Sequence, residues 1–132
     1  MSAIVADASA VLEVLLRTSR ADPVGRRILA DDAVMYVPHL IDVEVAQVLR
    51  RYVMTGQVEA PRATQALTDF MDMRVERYAM EPLLPRIWAL RDNLTAYDAA
   101  YIALAEALEV PLITCDARLG SSAGHHAVIE VL

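Results

Sequence analysis

The sequence predicts an α/β fold with a mostly parallel sheet and helices on both of its faces, and three observations carry that prediction. Short apolar runs of β character alternate along the chain with segments of helical period, the pattern left by crossover connections between parallel strands. The stretch from Thr95 to Glu109 is rich in Ala and Leu and free of Gly and Pro, which makes it the strongest helix signal in the chain. Two of the apolar runs end on an aspartate, Asp7 and Asp116, and ligand crevices of parallel sheets open at the carboxyl ends of strands.

The elements follow in order. Ala3 to Ala6 reads as a buried strand ending at Asp7, and Ser9 then precedes a helix that closes near Arg17 to Ser19. A second helix is expected after Pro23, running through Arg26, Arg27, Ile28 and Leu29 to the break at Asp31 and Asp32. Val34 to Val37 is either a strand or the entry to the next helix. Pro38 is expected to open a long helix that stops at Gly56, with Ile41, Val45, Val48 and Tyr52 on its apolar stripe and Glu44 on the border. Pro61 suits the first turn of another helix, whose inner face would hold Ala63, Ala66, Leu67, Phe70 and Met71. Val75 to Met80 alternates as a strand does, and Pro82 with Pro85 fits the start of a helix carrying Leu84, Ile87, Trp88 and Arg91. In the Thr95 helix, Asp98 shares a face with Tyr101, Ile102 and Ala105, and Thr95 with Asp98 has the spacing of a capping box. Val110 to Cys115 is a short strand ending at Asp116, Ala117 to Leu119 a turn or brief helix, and Ala127 to Val131 a last strand.

Residues 1–132 fit one domain, large enough to bury a core and too small for two. The hydrophobic share is 56% and the mean hydropathy +0.33, yet no apolar run approaches the roughly 18 residues of a membrane span. The surplus of apolar residues fits either a partner surface or an Ala-rich small domain. With no basic, apolar leader at Met1 to Asp7, a cytoplasmic protein without membrane attachment is expected. Cys115 is the single cysteine, and no Cys/His spacing resembles a zinc site. His39, His125 and His126 lie in unrelated segments and read as surface residues. The net charge is −6, and all 12 basic residues are arginines. The acidic total argues against nonspecific nucleic-acid binding driven by bulk charge but leaves room for a local basic rim, since each cation is a planar fork suited to phosphate or carboxylate. Arg17, Arg50 and Arg51 are either phosphate contacts or ordinary solvated residues.

Four acids then stand out: Asp7 and Asp116 at strand ends, Asp98 at a helix start, and Glu44 in the first half of a helix. Singly, each has a structural reading as a cap, turn or surface residue. Met in one crevice, each pair would repel by about 2–3 kcal/mol at an effective dielectric near 20. Six such pairs approach the roughly 5–15 kcal/mol that holds a domain folded, so the cluster would require protons or a cation. Oxygen ligands without Cys or His favour Mg²⁺ or Mn²⁺ over zinc, and water made acidic by such an ion is a nucleophile for a phosphodiester. Ser9 and Thr114, each two residues from an acid, either orient a ligand or phosphate or serve as a cap and a strand residue.

The ordered set Ile-Val-Ala-Asp7-Ala-Ser9, Leu-Ile-Asp-Val-Glu44-Val-Ala, Thr-Ala-Tyr-Asp98-Ala-Ala-Tyr-Ile-Ala-Leu-Ala and Leu-Ile-Thr114-Cys-Asp116-Ala-Arg-Leu resembles the PIN-domain ribonucleases, specifically the VapC-type toxins of bacterial toxin–antitoxin pairs. The resemblance spans nearly the whole chain. It implies a PIN-like three-layer α/β/α fold with Asp7, Glu44, Asp98 and Asp116 as the metal-site acids and catalytic residues. The activity it implies is Mg²⁺- or Mn²⁺-dependent RNA cleavage, with Glu44 ligating the ion or orienting the attacking water. A small antitoxin that blocks the site, often through an arginine, and a homodimer are implied as well. Arg118 departs from the pattern: some members carry an acid or Asn there, and an arginine would contact phosphate or the surface instead of a metal. A catalytically silent PIN-like module that works through protein contacts is the alternative. A phosphoacceptor receiver domain ranks last, because it relies on a lysine and this chain has none.

Overall fold

The computed structural model describes residues 2–132. Among these, five strands form one parallel sheet in the order β3-β2-β1-β4-β5. The strands are β1 (Ser2–Ala6), β2 (Ala33–Pro38), β3 (Val75–Tyr78), β4 (Leu112–Thr114) and β5 (Ile129–Val131). Helices α1 (Ala8–Leu15), α2 (Ala21–Ile28), α3 (Leu40–Met54), α4 (Ala60–Asp72), α5 (Leu84–Ala89), α6 (Ala96–Leu108) and α7 (Ala117–Gly120) flank it as a three-layer α/β/α stack. No helix of the described residues is long and apolar enough to cross a membrane.

The chain builds outward from β1 in two directions, through β2 to β3 on one side and later through β4 to β5 on the other. The order therefore reverses between β1 and β4, and it is at such a switch point, beyond the strands' carboxyl ends, that parallel sheets place their ligand crevices. Ile4, Val5 and Ala6 of β1 and Leu112 to Thr114 of β4 are buried, as befits strands covered on both faces. Helix α6 lies against β1, β2 and β4. Every residue from Ala99 to Ala105 in it is buried, and its alanines let the sheet and α5 approach closely from different sides.

Several expectations are corrected. Pro38 closes β2 instead of opening α3: it pairs with Tyr78 of β3, and the His39 N–H donates to the Tyr78 carbonyl at 3.0 Å. Val34 to Val37 is accordingly strand. Helix α2 begins at Ala21, two residues before Pro23, because a proline in the first turn lacks only an N–H that would have no helical partner. In α4 only Ala63, Ala66 and Phe70 are buried, and Met71 is 73% exposed, since one residue beyond Phe70 turns about 100° away from the core. Trp88 of α5 likewise faces outward. The third and last strands are shorter at their ends than the apolar runs that announced them, β3 stopping at Tyr78 and β5 starting at Ile129.

A polar clamp ties the C-terminal segment to α6. Glu106, with a side chain only 5% accessible, receives a two-pronged bond from Arg86 at 2.8 and 2.9 Å and the backbone N–H of His126 at 2.9 Å. Gly124 lets the chain pass: its φ is +90°, and a Cβ there would stand 2.4 Å from Asn93 Nδ2. The Arg86 bond holds the Glu106 carboxyl below its ordinary value, against the opposing effect of burial. A depressed carboxyl contributes stability above its unfolded value, and that stability is lost as pH falls through the folded value. Glu106→Gln is thus expected to lower the melting temperature at pH 7, and the gap to wild type should close as the pH drops below 4.5. Ile102→Ala, at a position with no accessible surface, should cost about 2–5 kcal/mol in chemical denaturation.

Candidate active site

Where β1 ends, Asp7 turns its side chain back over the first turn of α1 and accepts the Ala10 N–H at 3.1 Å. The cap reading of Asp7 is therefore correct, and it does not exhaust the residue. Ser9 Oγ donates to Oδ1 at 2.6 Å, and Thr114 Oγ1, from the end of β4, donates to Oδ2 at 2.5 Å. The two hydroxyls also accept backbone N–H groups, Ser9 from Cys115 and Thr114 from Asp116, both at 3.0 Å. This network locks the ends of β1 and β4 together around a carboxylate that is 7% exposed. Both hydroxyls are thereby spent on orienting Asp7.

Asp116 caps α7 through the Arg118 N–H at 3.0 Å, and the Arg118 guanidinium grips the same carboxylate at 2.9 and 3.2 Å. That grip answers where Arg118 goes: onto the acid two residues before it. Asp98 stands in the first turn of α6. Its N–H donates to Thr95 Oγ1 at 3.2 Å, but the Asp98 carboxylate accepts no hydrogen bond from the described residues, so the capping box is only half made. Glu44 reaches in from α3 and accepts the Tyr101 hydroxyl at 2.5 Å on Oε1. Arg51 does not pair with it, lying instead over the Tyr52 ring at 5.8 Å. Arg17, Arg50 and Arg51 are exposed and make no hydrogen bond to the four acids.

The electrostatics tie the four acids to one another. Burial pushes the Asp7 carboxyl up, its three hydrogen bonds pull it part of the way back, and the charge of Asp116 adds to the rise. Burial also raises Glu44, opposed by the Tyr101 bond and reinforced by the charges of Asp7 and Asp98. Arg118 holds Asp116 below its ordinary value and feels the charge of Asp98 as well. One guanidinium thus faces two of the four carboxylates.

Among the described residues, no three Asp, Glu, His or Cys side chains close on a common point as a ready metal cage. Asp7 is turned toward its hydroxyls and Asp116 toward Arg118. The donor set nevertheless suits a hard cation: it offers only carboxylate oxygens, and it carries excess negative charge. Mg²⁺ binds through one or two carboxylates and keeps several waters, so it does not require a closed cage. Tyr101 and Arg20 were not legible as site neighbours. Arg20 donates to the Cys115 carbonyl at 3.4 Å, and the only hint for Tyr101 was the helical face it shares with Asp98.

A family model described as PIN domain matches residues 4–124. Ribonuclease VapC9 of Mycobacterium tuberculosis is 41% identical over 129 residues, covering 98% of both chains. Ribonuclease VapC12 of the same species is 39% identical with the same coverage. Among solved structures, PAE2754 from Pyrobaculum aerophilum superposes with a TM-score of 0.74 at 22% identity, covering 98% of this chain and 84% of that one. VapBC2 from Rickettsia felis, bound to a DNA fragment from its promoter, gives 0.70 at 11% identity, covering 98% of each chain.

The raised Asp7 carboxyl has a thermodynamic sign. A folded value above the unfolded one favours the fold at low pH, and that benefit is lost as pH rises through the folded value. Asp7→Asn keeps the cap and removes the charge. In metal-free buffer its melting temperature should match that of wild type near pH 4 and exceed it at pH 7.

Proposed function

This chain belongs to the PIN-domain family, and on that premise we propose that it is a VapC-type endoribonuclease, the toxin of a toxin–antitoxin pair, with Asp7, Glu44, Asp98 and Asp116 as a Mg²⁺- or Mn²⁺-binding catalytic centre. The observation that carries the reading is the buried Asp7 carboxylate, held at the β1/β4 switch point by Ser9 and Thr114 and sharing its electrostatic environment with Glu44 and Asp116. The VapC relatives, named ribonucleases and matched over nearly their full length, support RNA as the substrate.

A divalent ion bound here supplies Lewis acidity, acidifying water and offsetting charge on the scissile phosphate. The chain supplies the rest. Asp7 is a fixed anion, its two oxygens already oriented by three donors. Asp98 and Asp116 complete the negative rim. Glu44 is raised toward neutrality by burial, which suits it to take the proton of the attacking water. The water oxygen forms the new bond to phosphorus as the bond to the leaving ribose oxygen breaks. Arg118, exposed and anchored only to Asp116, is within reach of an incoming phosphate, for which its fork is suited.

The same reading assigns a small antitoxin and a second copy of the chain as partners. Apolar side chains left at the surface, among them Val43, Met54 and Trp88, support such contacts. The test is cleavage of a structured RNA pool by the antitoxin-free chain with Mg²⁺ or Mn²⁺, beside Asp7→Asn and an EDTA control. Wild type should cut only with the ion, and the variant should lose at least about 100-fold, more than the loss typical of a residue that merely supports a ligand. Equal cleavage by both proteins would reject the site assignment.

A further inference from the structure

We propose that Tyr101 is a positioning residue for Glu44: its hydroxyl clamps Oε1 and so presents Oε2 to the crevice shared with Asp7 and Asp98. The inference rests on the reading of Glu44 as a site acid. Tyr101 itself is 3% exposed, too enclosed to touch RNA, so it acts through the group it holds.

Three observations carry it. The bond is 2.5 Å long and joins residues 57 apart, from the second turn of α6 to the second turn of α3. It is therefore a tertiary contact, not a by-product of local helix geometry. The tyrosine ring lies in the fully buried run from Ala99 to Ala105. The hydroxyl is thus pinned by packing before it meets Glu44. Finally, Oε2 of Glu44 accepts no hydrogen bond from the described residues, yet no buried side-chain oxygen among them lacks a partner. Oε2 must therefore keep an opening to solvent while Oε1 is tethered inside. A glutamate has three rotatable bonds and pays rotamer entropy for any fixed pose. A rigid donor on one oxygen removes that freedom and leaves the other oxygen for chemistry. Asp98 and Tyr101, one turn apart on one face of α6, give that helix two tasks: it lends one acid and steadies another.

The experiment compares full-length wild type, Tyr101→Phe, Glu44→Gln and the double variant. Mn²⁺ affinity is read by calorimetry, and kcat and KM are measured on one RNA. Loss of a residue that orients a metal ligand typically costs about 10–100-fold in metal affinity or activity. Tyr101→Phe should show a loss of that order in Mn²⁺ affinity and kcat with KM unchanged, and it should add no further loss of Mn²⁺ affinity to Glu44→Gln. A Tyr101→Phe protein equal to wild type, while Glu44→Gln is impaired, overturns the positioning role and leaves the four-acid reading standing. An equal loss from Tyr101→Phe in both backgrounds also overturns it, since the phenol would then act on packing and not through Glu44. A Glu44→Gln protein that binds Mn²⁺ and cuts RNA like wild type overturns the reading of Glu44 and the proposal with it.

Discussion

Burying a carboxylate at the seam of two strands is the constraint on which the rest of this structure depends. Removing Asp7 from water costs several kcal/mol unless its oxygens are met by donors. The chain meets them with Ser9, Thr114 and the Ala10 N–H, hydrogen bonds to a charged group worth about 1.5–3 kcal/mol each. Those donors come from α1 and β4, so satisfying Asp7 fixes how the first helix leaves β1 and how far β4 runs alongside it. The register of the sheet's centre and the shape of the crevice are thereby one problem with one solution.

The remaining acids, each of intermediate exposure, are held around that seam in different ways. Glu44 is half-buried and tethered, Asp116 is half-exposed and gripped by Arg118, and Asp98 is left without a hydrogen-bond donor. The difference matters because repulsion among close carboxylates must be offset. Arg118 offsets part of it from the rim, where its side chain is largely solvated, and a solvated pair contributes little to folding. The fold is therefore not dependent on that ion pair. Rigidity is concentrated at Asp7 and adaptability at Asp116.

Much of this was legible in the chain. Parallel strands buried on both faces read as continuous apolar runs, so Asp7 and Asp116 announced themselves by ending such runs. The Ala-rich α6 was equally plain, because its composition suits a helix enclosed on nearly every side. What escaped was decided by tertiary context. Pro38 has the local chemistry of a helix opener, yet its pairing with Tyr78 kept it in the sheet. Met71 fits the apolar composition of α4 but lies beyond the stripe set by Ala63, Ala66 and Phe70. The bond from Tyr101 to Glu44 spans 57 residues, and no spacing rule connects positions that only the packing of α6 against the sheet brings together. The convergence of the acids is visible as shared electrostatics, whereas their grip on Arg118, Ser9 and Thr114 depends on rotamers that sequence does not carry.

Asp7 and Asp116 are both helix N-caps, positions at which asparagine serves nearly as well as aspartate. A single base change interconverts the two residues. On the proposed assignment of these acids, the chain could be silenced by mutation without being unfolded, and a silenced copy would keep its surfaces. For a lineage that carries a protein harmful to its own cell, this gives a short evolutionary path from poison to decoy.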